Sequence, residues 1–213
     1  MSETHPWMAS SDVLSVFPTL VWEFALTAGS REALNAKLID TLGGMRPSPA
    51  GMPPGHGWQS SQDLHNLAEC QELVTYVRDA VGSILRFLKA GYQAFEITAC
   101  WGNINPPGAA HRSHSHPNNF LSGVYYVQTQ PGADTINFHD PRIQTGIIRP
   151  PVQELTAANA DQAVVRVSAG TLLVFPAWLQ HSVDANESRG ERISISFNVM
   201  FSAFTENLSK PLW

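Results

Sequence analysis

The chain has 213 residues, 43% of them hydrophobic and 15% charged, with a formal charge of −5. This is the composition of a globular protein with ample apolar material for one core, and the whole span 1–213 is expected to form a single domain. The mild acidity, with no Lys/Arg cluster to offset it, excludes a nucleic-acid-binding surface. Cys70 and Cys100 form no CxxC pair, and Met1-Ser-Glu-Thr-His-Pro lacks the basic and apolar blocks of a signal peptide. No apolar run reaches membrane-span length, so a reduced cytoplasmic protein is expected.

In chain order, residues 13–26 are rich in β-formers and carry Pro18, which predicts an edge strand. Ser30 stands as the N-cap of a helix through Leu42, with Leu34, Leu38 and Leu42 on one face and Gly43-Gly44 as the stop. A Pro- and Gly-rich loop follows over 45–57. A second helix is expected from about Asn66, with Glu69 as its capping-box partner, to about Ala90. Its buried stripe would be Leu73, Val77, Val81 or Ile84, and Leu88, and Gly91 would close it. Residues 1–91 therefore read as a strand and two packing helices, and residues 92–204 as a β core.

From Tyr92 the period becomes that of strands: 95–104, 121–129, 135–140, 163–167, 171–175 and 192–201. Turns rich in Pro, Gly and Asn separate them. The expected fold is mainly β with flanking helices, a sandwich or jelly roll with helices packed outside.

The chemistry concentrates in His111-Arg-Ser-His114-Ser-His116, in Phe175-Pro-Ala-Trp-Leu-Gln-His181, and in Arg192-Ile-Ser194. In extended chain, residues two apart share a side, so His114 and His116 present two imidazoles together. His181, at the end of a buried strand, can supply a third and leave the opposite positions of an iron centre open. His111 follows Pro106-Pro107-Gly108 and is expected in the turn. Arg192, Ser194 and Ser196 share one face of the last strand. An inward-facing guanidinium requires an anion, and it grips a carboxylate with two parallel hydrogen bonds.

The order His-x-His, a distal His and then Arg-x-Ser resembles the 2-oxoglutarate/Fe(II)-dependent oxygenases. His114-Ser-His-Pro-Asn-Asn-Phe-Leu-Ser-Gly-Val-Tyr-Tyr-Val, Asp140-Pro-Arg142 and Phe175-Pro-Ala-Trp-Leu-Gln-His181 resemble a little-characterised bacterial and phage branch of them. The resemblance implies a double-stranded β-helix, a cupin-like jelly roll with the metal at one open end. It further implies Fe(II) at His114, His116 and His181, and 2-oxoglutarate as co-substrate held by Arg192 and Ser194. Tyr126 would join them on the far carboxylate, Ser122 lies four residues earlier on the same strand face, and Asn103 would reach the metal-proximal end.

Most of that family carries a carboxylate where His116 stands, and Asp140 is the nearest candidate to replace it. The expected activity is hydroxylation of a small molecule or peptide. Two other readings stand beside it: a cupin-like three-His dioxygenase or isomerase without 2-oxoglutarate, and a non-catalytic metal-binding jelly roll. The Arg192/Ser194 pair discriminates, because a cupin has no use for it there. A structural metal would normally be closed by four protein ligands.

Overall fold

The computed structural model describes residues 7–47, 55–91, 94–142, 144, 147–148 and 150–203. The elements in chain order are β1 (Trp22–Ala25), α1 (Ala28–Met45), β2 (Trp58–Gln59), α2 (Gln71–Phe87), β3 (Phe95–Asn105) and β4 (His111–His114). They continue with β5 (Leu121–Gln128), β6 (Thr135–His139), β7 (Gln162–Arg166), β8 (Thr171–Pro176), β9 (His181–Val183) and β10 (Arg192–Phe201).

The strands form two antiparallel sheets. The larger has the order β1-β8-β5-β10-β3-β2 and the smaller β4-β9-β6-β7. From β3 onward the chain passes back and forth between the sheets, so that β3, β5, β8 and β10 face β4, β6, β7 and β9. This is the double-stranded β-helix expected from the sequence.

Alternation along each strand separates two apolar layers. On β10, Ile193, Ile195, Phe197 and Val199 pack outward with Leu34, Leu38 and Leu42 of α1 and Val77, Val81 and Ile84 of α2. A smaller cluster lies between the sheets, built from Val124, Tyr126, Ile136, Phe138, Leu173 and Phe175. The helices therefore cover the back of the larger sheet and leave its front to the interior. Gly102 on β3 makes this close approach possible, because a Cβ there would overlap the side chain of Leu42.

Several element boundaries differ from expectation. Of residues 13–26 only Trp22–Ala25 is strand; Val13, Leu14, Val16 and Phe17 are exposed. Pro18 lacks a donor, and pairing with β8 begins only at Trp22, opposite Val174. Thr27, not Ser30, caps α1: its side chain accepts from the Ser30 N–H. The helix also runs through Gly43 and Gly44. Two interior glycines cost about 1 kcal/mol each, offset here by the fully buried Leu42 and by Arg46, whose Nη1 lies 2.6 Å from Glu191.

The second helix begins at Gln71, after two short 3-10 turns at Leu64–Asn66 and Ala68–Cys70. Leu67 between them is extended, and Glu69 forms no capping bond. Leu88 lies beyond the helix and is exposed, followed by Lys89 in the left-handed region. Residues 48–54 of the Pro/Gly-rich loop lie outside the described residues. Among the described residues no helix is long and apolar enough to cross a membrane.

Candidate metal and co-substrate site

The three histidines meet at one end of the sandwich. His114, at the end of β4, is the register partner of His181, at the start of β9. His116 follows in the turn, tied down by its backbone N–H to the carbonyl of Ala177 at 2.9 Å. One ligand nitrogen from each ring lies within 4.8 Å of the others. The ring centroids are 4.4–5.2 Å apart, and Trp101 stands 5.7 Å from His116.

Hydrogen bonds select the tautomers. His114 Nδ1 donates to the Arg112 carbonyl at 2.7 Å, and His181 Nδ1 donates to the Leu179 carbonyl at 2.9 Å. A carbonyl only accepts, so the proton sits on Nδ1 and the Nε2 lone pair is free for a cation. Burial pushes His181 and His116 down to about 4, so both remain neutral ligands at ordinary pH. Asp140 does not complete the set. Its two oxygens are engaged by Arg142 Nε and Nη2 at 2.9 and 2.7 Å.

The other wall comes from the larger sheet. Register places Tyr126 of β5, Ser194 of β10 and Asn103 of β3 in one row across three strands. Val124, Ser196 and Trp101 form the next row. All six line a cavity of about 530 Å³, counting space open to solvent at its mouth, together with the three histidines, Arg192, Phe175 and Ile136. No carboxylate lines it among the described residues.

Arg192 is 3% exposed, and its Nε has no hydrogen-bond partner and its guanidinium no ion pair among the described residues. Burial lowers its pKa, opposed by the nearby Tyr126. Burial likewise raises the Tyr126 pKa, keeping the phenol a neutral donor. A buried guanidinium without a counter-ion is costly, and the cavity is the place from which an anion can reach it.

Asn103 Nδ2 donates to Ser196 Oγ at 3.2 Å. Ser122 is the one expected residue that the cavity leaves out. It shares the inward face with Tyr126, but four residues along a strand is about 13 Å, and its hydroxyl donates to Asn198 Oδ1 at 2.7 Å instead. His111 departs from expectation in the opposite sense. It belongs to β4, pairs with Val183 and lines the cavity, with Nε2 3.2 Å from Asn105 Oδ1. Burial, then the charges of Arg192 and His114, push it down to about 4. An odd step of three from His114 would place His111 on the opposite face of a regular strand, and the irregularity between the two residues, which brings it to the cavity, left no local signal.

Residues 99–198 match the family described as "Putative 2OG-Fe(II) oxygenase". That segment, just under half of the chain, is similar to the 2OG-Fe(II) oxygenases. It contains every residue of the site just described. Solved structures similar in fold include a Pseudomonas putida prolyl-4-hydroxylase, 20% identical, with TM-score 0.58 over 86% of this chain and 94% of that one. The 2OG-dependent epimerase SnoN from nogalamycin biosynthesis is 16% identical, with TM-score 0.64 over 92% and 89%. HygX from Streptomyces hygroscopicus, solved with nickel and 2-oxoglutarate, is 11% identical, with TM-score 0.59 over 86% and 83%. No curated protein matches the chain.

Proposed function

We propose that this protein is an Fe(II)- and 2-oxoglutarate-dependent oxygenase that hydroxylates a small molecule or peptide. His114, His116 and His181 hold the metal, and Arg192 with Ser194 and Tyr126 holds the far carboxylate of 2-oxoglutarate. The observation that carries this reading is Arg192 itself. It is a buried cation without a counter-ion, in the same cavity as three imidazoles whose free lone pairs suit a divalent cation.

Iron bound there would supply the redox chemistry that couples decarboxylation of 2-oxoglutarate to oxygen transfer. The chain's own residues do the rest. The carbonyls of Arg112 and Leu179 orient two ligand rings. The Arg192 fork fixes one end of the co-substrate, which sets where its other end meets the metal. We assign that end to Asn103, which neighbours Ser194 and donates to Ser196 towards the next row. Val124, Ile136 and Phe175 line the cavity with apolar surface and keep it dry.

With three neutral imidazoles, the metal keeps its full positive charge, one unit more than beside two histidines and a carboxylate. A cupin-like reaction without 2-oxoglutarate would leave Arg192 buried to no purpose. We further read residues 1–213 as one domain working in a reducing cytoplasm. The apolar cluster shared by helices and larger sheet supports the first part, and the free, buried thiols of Cys70 and Cys100 support the second.

The test is anaerobic. Iron content is measured in the wild type and His181→Ala, and 2-oxoglutarate is then titrated calorimetrically into iron-loaded wild type and Arg192→Ala. Iron is expected to be lost in the first variant. In the second, removing one partner of a buried charge pair costs about 2–5 kcal/mol and raises Kd well over tenfold. Equal binding of 2-oxoglutarate by wild type and Arg192→Ala, or by neither, would return the assignment to the cupin reading. Succinate release under air then tests turnover.

A further inference from the structure

Arg192 lines one corner of the cavity, and its neighbour across the strands, Asn105, lies outside the lining. Arg192 Nε and Asn105 Nδ2 are both buried without a hydrogen-bond partner, and the two residues are register partners on β10 and β3. His111 closes this corner from the smaller sheet. It lines the cavity, stands apart from the three-histidine cluster, and bonds the Asn105 amide through Nε2.

The Asn105 amide decides the tautomer of His111. With Oδ1 facing the ring, the atom left over is a buried N–H, the rarer and costlier orphan. Turned over, the amide has the same shape, Nδ2 donates to His111 Nε2, and the atom left over is a carbonyl oxygen. Nε2 is then an acceptor, so the neutral imidazole carries its proton on Nδ1. Nδ1 has no hydrogen-bond partner among the described residues. Arg192, Ser194 and Tyr126 all rise from the larger sheet and hold an anion from one side only.

We propose that His111, oriented by Asn105, is a further donor to the far carboxylate of the co-substrate, reaching it from the smaller sheet opposite Arg192. The inference rests on the co-substrate reading above. A neutral donor suits the place, because it adds a hydrogen bond without a second positive charge beside Arg192. It also sharpens selection: a 2-oxo acid lacking the far carboxylate would leave both the guanidinium and the Nδ1–H unpaired.

Anaerobic calorimetry on the iron-loaded protein tests this with two ligands, 2-oxoglutarate and 2-oxobutyrate, which lacks the far carboxylate. His111→Phe should raise the Kd of 2-oxoglutarate about tenfold, the worth of one hydrogen bond to a charged group. It should leave iron content and 2-oxobutyrate affinity unchanged. His111→Asn places an amide N–H near the Nδ1 position and should recover affinity to within about threefold of wild type. Asn105→Leu, which frees the tautomer, should weaken 2-oxoglutarate alone and serves if His111→Phe does not fold. Unchanged 2-oxoglutarate binding in these variants, no recovery in His111→Asn, or an equal loss for both ligands would overturn the role of His111. Failure of the wild type to bind 2-oxoglutarate would overturn the co-substrate reading instead.

Discussion

The two faces of β10 invite comparison. Outward, Ile193, Ile195, Phe197 and Val199 enter a continuous apolar layer with both helices. Inward, the residues between them, Arg192, Ser194, Ser196 and Asn198, are all polar, and the first three line the cavity. One strand thus serves stability on one side and binding on the other. The outer face gains from every buried methylene, whereas the inner face carries a desolvated cation whose Nε has no partner among the described residues. A site of this kind is stabilised by its ligands rather than by its own contacts.

The largest separation between the two faces is expected from Leu38→Ala. Leu38 is fully buried in the outer layer, and truncation should cost about 2–5 kcal/mol of unfolding free energy. Urea unfolding measures this, and metal and 2-oxoglutarate affinities of the folded variant should match the wild type. A loss of affinity as large as the loss of stability would dissolve the distinction between the faces.

Arg192→Met should do the reverse, and by less. With no ligand present, replacing the unpaired buried guanidinium by an apolar chain of similar length should raise stability by about 1 kcal/mol or more, while abolishing the tight hold on 2-oxoglutarate. Destabilisation of the metal-free variant would mean that Arg192 is paired within the protein after all.

A third comparison varies pH instead of sequence. His111, His116 and His181 are each held near about 4 by burial, against the 6.5 or so of an unfolded chain. Between those values the unfolded chain binds more protons than the folded one. Stability of the metal-free protein is therefore complete above about pH 6.5 and falls as pH drops towards 4. Urea midpoints across that window should show the slope, which should persist in Leu38→Ala and shrink in His181→Ala. A slope unaffected by loss of His181 would remove the inner face as its source.

How much of this was legible depends on the range of the interaction. Long strands announced themselves: expected bounds for 95–104, 121–129, 171–175 and 192–201 agree with β3, β5, β8 and β10 to within a residue. The short strands β2, β4 and β9 did not, because two to four residues carry no period, and their pairing partners supply the hydrogen bonds that define them. Both helices were found but their ends were displaced. Thr27 and Ser30 are equally good caps by type, and it is tertiary contact, the packing of Leu42 against Gly102 and the Arg46–Glu191 pair, that carries α1 through two glycines.

The site divides the same way. Alternation along β10 is a local property, since an extended chain must turn successive side chains to opposite faces, so Arg192, Ser194 and Ser196 were bound to lie together whatever the fold. The spacing of His114 and His116 likewise kept two imidazoles close. Which side chains meet across the sandwich follows instead from strand register, set by the burial of whole strands and by turns far away in sequence. Register put His181 opposite His114, carried Ser122 one row beyond the cavity and brought His111 into it, and Arg142 engages both oxygens of Asp140. A two-residue period dictates faces, but only closure of the two sheets brings the faces together.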